Sequence, residues 1–256
     1  MKSERIPVKS FSADNGFIGK MQKLVREEVL PYQYNILNDA IPGIEKSHAI
    51  ENIRLAAEKL RGKDVKPDEF YGMVFQDSDV AKWIEAAAYA LAAGEDPELE
   101  KAVDETIQLY GASQHEDGYV DSYFTVKCPD KMWTNICDAH ELYCAGHMME
   151  AAVANYEVTG KRELLDIMSK SADCIYEQFM KKNTRAYPGH PEVELALMRL
   201  WRATGNEKYK ELAKHFVDVR GQAPNYFVEE KKNRGWNVWD GTEELNTDYS
   251  QITLPV

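Results

Sequence analysis

Ala151-Ala152-Val153-Ala154-Asn155-Tyr156-Glu157-Val158-Thr159-Gly160 describes the end of an apolar helix running into a tight glycine turn. The same template occurs twice more. Ala86-Ala87-Ala88-Tyr89-Ala90-Leu91-Ala92-Ala93-Gly94 precedes it and Leu195-Ala196-Leu197-Met198-Arg199-Leu200-Trp201-Arg202-Ala203-Thr204-Gly205 follows it, and each glycine leads into a helix opening with acidic and aliphatic residues. Repetition at roughly 45 to 65 residues means helical hairpins, stacked as a solenoid or closed as an (α/α) toroid.

Outward from these stretches, apolar residues at i, i+3, i+4 and i+7 predict helices over 14–29, 49–60, 80–93, 97–110, 139–158, 163–181, 191–203 and 207–219. Asp96 before Pro97 supplies a cap and an N1 proline, and Asn206 caps the helix after Gly205. Strand signals are confined to short loop pieces such as Tyr123-Phe124-Thr125-Val126. Residues 116–135 and 222–250 read as irregular and rich in Tyr, Phe, Trp, Asp and Asn. Simple scaffold repeats keep their connections short, so these loops favour the toroid, with its site on the loop-bearing rim. The expected fold class is therefore all-α. It is a toroid of helical hairpins in one domain over 1–256, incomplete because eight helices make about four hairpins.

A chain of 256 residues with 44% hydrophobic content can bury one substantial core. A net charge of -12 and a pI near 5.1, with lysines interleaved among acids, exclude the clustered basic surface that nucleic acid requires. The first residues are followed by no apolar signal core, and no run approaches the ~20 apolar residues of a membrane span, so a cytoplasmic protein is expected. Cys128, Cys137, Cys144 and Cys174 contain no CxxC pair and are expected to be free thiols.

The chemistry concentrates in Asp138-Ala139-His140-Glu141-Leu142-Tyr143-Cys144-Ala145-Gly146-His147, where His140 and His147 share one helix face. Cys137, His140, Cys144 and His147 invite a zinc reading. A helix rising ~1.5 Å per residue spreads them over about 15 Å, whereas zinc needs its ligands within about 2.0 to 2.3 Å, so no metal is expected there. Small buried thiols and a buried histidine hydrogen bond for His147 are the expectation instead. Asp77-Ser78-Asp79 reads as an N-cap, Trp83 as core, and Glu85 as a residue that can reach a ring centre. His190 occupies the expected N-cap position before Pro191 and Glu192, where it either caps the helix or donates into a pocket mouth. Gln33, in Pro31-Tyr32-Gln33-Tyr34, is either a solvated loop glutamine or an amide suited to paired hydroxyls.

Four motifs in order, Phe75-Gln76-Asp77-Ser78-Asp79-Val80-Ala81-Lys82-Trp83-Ile84-Glu85-Ala86, Asp117-Gly118-Tyr119, His140 to His147, and Gly189-His190-Pro191-Glu192-Val193-Glu194-Leu195-Ala196-Leu197, resemble the N-terminal half of the β-L-arabinofuranosidases of glycoside hydrolase family 127. The resemblance runs from about residue 11 to 256, over part of that family's six-hairpin toroid. It implies removal of a terminal L-arabinofuranose from plant-type glycans with retention, and sugar contacts from Gln33, His140 and His190. It also implies a cysteine nucleophile on a zinc ion held by three cysteines and a glutamate, with a second glutamate as acid/base, all beyond the position of Val256. On that basis no catalytic residue and no cofactor is expected within this chain, and zinc only in longer relatives. Tyr249-Ser250-Gln251-Ile252-Thr253-Leu254-Pro255-Val256 resembles a family segment in which a sugar-facing histidine stands where this chain has Thr253.

The expected partner is a carbohydrate, with self-association through helix faces that further hairpins would cover. Two other readings compete: a helical scaffold for a protein partner, and a toroid that binds glycans without cutting them. Polar and aromatic side chains converging on one rim favour a sugar site, and a continuous exposed apolar groove favours the scaffold.

Overall fold

The computed structural model describes residues 6–11, 13, 16–182 and 184–238. Among these the regular structure is helical, with no strand: α1 (Phe17–Leu24), α2 (Leu30–Leu37), α3 (Ala49–Leu60), α4 (Asp77–Ala92), α5 (Pro97–Ala112), α6 (Ser122–Lys127), α7 (Glu141–Thr159), α8 (Glu163–Tyr176), α9 (Val193–Thr204), α10 (Glu207–Val219) and α11 (Tyr226–Arg234). A π-helical stretch, Val25–Val29, joins α1 to α2 into one continuous rod, and a second, Glu177–Lys181, extends α8. None of these helices is long and apolar enough to cross a membrane.

The three glycine turns define three hairpins, α4/α5, α7/α8 and α9/α10. Gly160 and Gly205 end α7 and α9 in the left-handed region, where their N–H groups close back on Tyr156 and Trp201. The expected caps also form. Asp96 accepts from the Leu99 N–H at 3.1 Å and Asn206 from the Lys208 N–H at 3.3 Å. Helix α7 packs between α4 and α9, while α5, α8 and α10 lie behind, each against its hairpin partner and the next outer helix. This is the two-layered arc of an (α/α) toroid.

The inner helix α7 is apolar around most of its circumference. Leu142, Met148, Met149, Ala152, Val153 and Val158 are all buried, together with Ile84 and Ala88 from α4 and Val193, Leu197 and Leu200 from α9. Gly146 sets the spacing of α7 and α9. A Cβ on it would lie 3.0 Å from Val193 Cα and 2.9 Å from Glu192 Cγ, so only hydrogen fits between the two backbones. Trp83 is core as expected, stacked on Tyr34 with ring centroids 4.6 Å apart and donating to the Leu30 carbonyl at 3.1 Å.

Several expectations fail for identifiable reasons. Tyr123–Val126 is not a strand piece but the body of α6, because Asp121 caps it through the Phe124 N–H at 3.0 Å. The region 222–250 is not wholly irregular: Asn225 caps α11, which ends at Gly235, while 239–250 and the Thr253 comparison fall outside the described residues. Asp77 does not cap α4. It is buried and accepts from the Ser122 N–H at 2.8 Å and from the Ser122 hydroxyl, tying α4 to α6. Helix α9 starts at Val193 with Glu192 at its N-cap, so His190 lies in the preceding bend rather than at the cap. Gln33 is in α2 and exposed, not in a loop. The loop aromatics do not line the rim either. Tyr119, Tyr123, Phe124 and Phe70 pack into a second core with Val74, Val126 and Ala139.

A face of the first rod is left open. Phe17, Ile18, Met21, Leu24 and Val25 are exposed along it. Because Gly146 lies at the tightest helix contact, Gly146→Ala is expected to cost about 1–3 kcal/mol of overpacking, against a helix-propensity gain of about 1 kcal/mol. Calorimetry checks this: a melting temperature at or above that of the unsubstituted chain would show that α9 steps back freely.

Candidate functional site

The three inner helices run parallel, and each carries a polar stripe at helical spacing on the face opposite the core: Ser78, Lys82, Glu85 and Tyr89 on α4, Tyr143, His147 and Glu150 on α7, and Arg199 on α9. Successive turns meet in layers. At the N-terminal layer the Lys82 ammonium donates to the Tyr143 hydroxyl at 3.0 Å and to Ser78 Oγ at 3.1 Å. Below it, His147 lies edge-on to Tyr143, with ring centroids 4.5 Å apart. In the next layer Arg199 donates to Glu150 at 2.7 Å, to Glu85 at 3.0 Å and to the Tyr89 hydroxyl at 2.9 Å. Glu85 is thereby tied to α9 across the inner face. At the far end, Tyr89, Glu150, Tyr156 and Arg199 join Lys9 and Arg202 around a cavity of about 670 Å³.

The histidines occupy the other end. His140 is the N-cap of α7 in the left-handed region, φ 62°, a conformation costing about 1–3 kcal/mol that surrounding contacts must hold. Three sets of contacts do so. Its own Nδ1–H donates to the Asp138 carbonyl at 2.5 Å. The Glu141 carboxyl, buried at the start of α7, accepts from the Tyr119 hydroxyl at 2.6 Å and from the Trp133 N–H at 3.0 Å, so the second aromatic core fixes this helix end. Burial pushes Glu141 up to about 8. From the other side, Glu230 of α11 accepts from the Ile136 N–H at 2.8 Å and the Cys137 N–H at 3.1 Å, and Arg234 pairs with Asp138 at 2.8 Å.

His190 is brought to the same place by Gly189, whose Cβ would meet the Cys137 carbonyl oxygen at 1.9 Å. No other residue permits that approach, and it puts His190 Nε2 3.0 Å from His140 Nε2. With the His140 proton on Nδ1, its Nε2 accepts and His190 Nε2–H donates. Burial is the first cause holding His140 below the ordinary imidazole range, reinforced by the His190 charge. Phe75 and Tyr143 complete a ring of aromatic edges around His140, at 5.3 and 5.5 Å. The pair is thus a donor and an acceptor side by side, His140 half-buried and His190 exposed, beside an ammonium and a phenol hydroxyl.

Sequence reasoning placed His140 and His190 together. Gln33 does not join them through any contact among the described residues. Lys82, Tyr143, Glu150 and Arg199 were missed as members of the polar face. Their signal was present as charged and phenolic residues at i, i+4 and i+7 inside otherwise apolar helices. His147 makes no full hydrogen bond; its Nδ1 approaches Glu192 Oε1 at 3.5 Å, and desolvation lowers it to about 4.

The cysteines do not assemble a zinc centre. Among the described residues no three thiols come together, and burial pushes Cys128 up to about 11, Cys174 to about 12 and Cys144 well above its usual range. All four are free. The three-cysteine, one-glutamate set therefore does not fit these residues.

Comparison with known proteins agrees with the architecture. The family model described as the β-L-arabinofuranosidase GH127 catalytic domain matches residues 12–255. A non-reducing end β-L-arabinofuranosidase of Bifidobacterium longum subsp. longum is 39% identical over 251 residues, covering 90% of this chain and 37% of its own length. The crystal structure of a GH127 β-L-arabinofuranosidase from Geobacillus stearothermophilus T6 superposes with a TM-score of 0.85 at 50% identity, over 94% of this chain and 37% of that one. A GH127 β-arabinofuranosidase structure superposes with a TM-score of 0.74 at 33% identity, over 84% of this chain and 34% of that one. The chain thus spans little more than a third of the relatives it resembles.

The tautomer and proximity of the pair are directly measurable. Long-range ¹⁵N–¹H spectra should show the His140 proton on Nδ1, and His190→Ala should raise the His140 pKa by removing a like charge and part of its cover. An unchanged pKa would show that His190 does not face it.

Proposed function

We propose, for a chain that belongs to the GH127 β-L-arabinofuranosidase catalytic-domain family, that it contributes the sugar-holding wall of a glycoside hydrolase site, with His140 and His190 gripping a terminal L-arabinofuranose of a plant-type glycan. The supporting observation is the Nε2–Nε2 contact of 3.0 Å between two histidines from separate loops. Opened slightly, the pair offers one acceptor and one donor at the spacing of neighbouring sugar hydroxyls, and the partner each nitrogen loses is replaced by a hydroxyl. Lys82 and the Tyr143 hydroxyl flank the pair, and the Phe75 and Tyr143 rings supply an apolar border. Gln33 is kept as a further contact on the strength of the family resemblance alone. A single unit over 1–256 and a cytoplasmic location belong to the same reading, supported by the acidic composition and free cysteines.

Cleavage needs an activated nucleophile and a positioned proton donor. The thiols described above are held protonated by burial, which supports the reading that the chain binds and orients while bond breaking lies with residues beyond these 256. The exposed apolar stripe on α1 and the following turn supports the expected self-association, which sedimentation velocity reports.

Titration calorimetry with methyl β-L-arabinofuranoside tests the site. His140→Ala and His190→Ala should each weaken binding about tenfold, the equivalent of one good hydrogen bond, while His215→Ala should not. The chain alone should not turn over an aryl β-L-arabinofuranoside. Turnover that disappears in His140→Ala would place the catalytic groups within this chain.

A further inference from the structure

His147, Glu150 and Glu192 form a second cluster, one aromatic ring below the histidine pair and separate from it. Each offers one ligand atom, and the three atoms lie within 4.8 Å of one another. The side chains belong to two elements locked together by the Gly146 contact: His147 and Glu150 are one turn apart on α7, and Glu192 caps α9 opposite them. His147 Nδ1 stands 3.5 Å from Glu192 Oε1. Two ligands bound to one ion at tetrahedral angles and about 2.1 Å lie about 3.4 Å apart. Their separation is already that of a coordinated pair.

We propose that His147 Nδ1, Glu192 Oε1 and a Glu150 carboxylate oxygen bind one divalent transition-metal ion, of the Mn²⁺ or Zn²⁺ class, on the inner face of the arc.

Three further observations point to a ligand here. Glu192 Oε1 is sealed from solvent and has no hydrogen-bond partner, a state that costs free energy unless something pairs with it. The Arg199 guanidinium is spent on Glu85 and Glu150 and forms no ion pair with Glu192. Lys82 and His190 from above and Glu194 from the following turn complete the surroundings. Burial and the neighbouring Glu150 hold the Glu192 carboxyl above the ordinary carboxylate range. Desolvation holds His147 at about 4, which keeps its imidazole neutral and its lone pair available. One imidazole nitrogen with two carboxylates suits first-row transition ions rather than the all-oxygen preferences of Ca²⁺ or Mg²⁺. No cysteine takes part, so the site is distinct from the three-cysteine zinc centre of the family resemblance. It also revises the metal-free expectation, which rested on the spacing of the cysteines and histidines and on the family resemblance.

The test is Mn²⁺ binding to the purified 256-residue chain, followed by loss of the free-ion electron paramagnetic resonance signal, with circular dichroism confirming that each variant is folded. One ion per chain is expected. His147→Ala, His147→Gln and Glu192→Gln should each weaken binding about tenfold or more, and His140→Ala should leave it unchanged. Binding should tighten as pH rises, because carboxylate and imidazole ligands must be deprotonated to bind the ion. Zn²⁺ should compete and Ca²⁺ should not. Any one of three results overturns the proposal: no binding at millimolar Mn²⁺, affinity that survives both His147 variants and Glu192→Gln, or affinity lost in His140→Ala, which would put the ion on the histidine pair.

Discussion

Burial of α7 is the constraint on which the rest depends. A helix wrapped on nearly all sides by other helices must be apolar around most of its circumference, and α7 carries Met148, Met149, Ala151, Ala152, Val153 and Ala154 with almost no solvent contact. Its neighbours adjust to it. Gly146 removes the one side chain that would hold α9 away, and the Gly160 turn sends α8 back along its outer flank. Once α7 is fixed between α4 and α9, the open side of all three helices becomes a single concave surface. The polar residues on that side of the three helices are collected there.

That collection has an electrostatic consequence. Glu85 and Glu150 share a single guanidinium, and Glu192 lies beside Glu150 without a share of it. A buried carboxylate is tolerated only when paired, hydrogen-bonded or protonated. Glu85 and Glu150 follow the first route and Glu192 the last. Glu141, at the helix start, combines two hydrogen bonds with a raised pKa. The inner face therefore has an end that holds hydrogen-bonding rings and a middle crowded with carboxyl groups. Sugar hydroxyls suit the first environment and a cation the second.

The rim is organised by loops that are themselves packed. Trp133 and His140 both adopt left-handed backbone conformations on either side of the Glu141 carboxyl, and α11 clamps the intervening loop through Glu230 and Arg234. Aromatic residues that suggested a sugar-lined loop serve instead as the second core beneath it. Their contribution to the site is positional, because they hold the His140 backbone in a conformation that an unsupported loop would leave.

The periodic apolar pattern and the glycine turns were enough to determine helices, hairpins and the two-layered arrangement, since amphipathic spacing and left-handed termini are local properties of the chain. His140 was legible as a helix-start residue, and the four ordered motifs tied it to His190. What the chain alone misassigned were groups whose partners are remote in sequence. Asp77 read as a cap because its serine partner lies 45 residues away. Residues 222–250 read as loop because the buried role of α11 depends on a segment more than 90 residues earlier. Tyr123–Val126 read as strand because β-branched and aromatic composition is a weak preference that burial and a capping aspartate override. The polar stripes were written in the sequence at helical spacing. That they face one another, and that Glu192 meets His147 rather than water, was decided only by the close approach at Gly146 and Gly189, because distances between helices are set by packing and not by any local propensity.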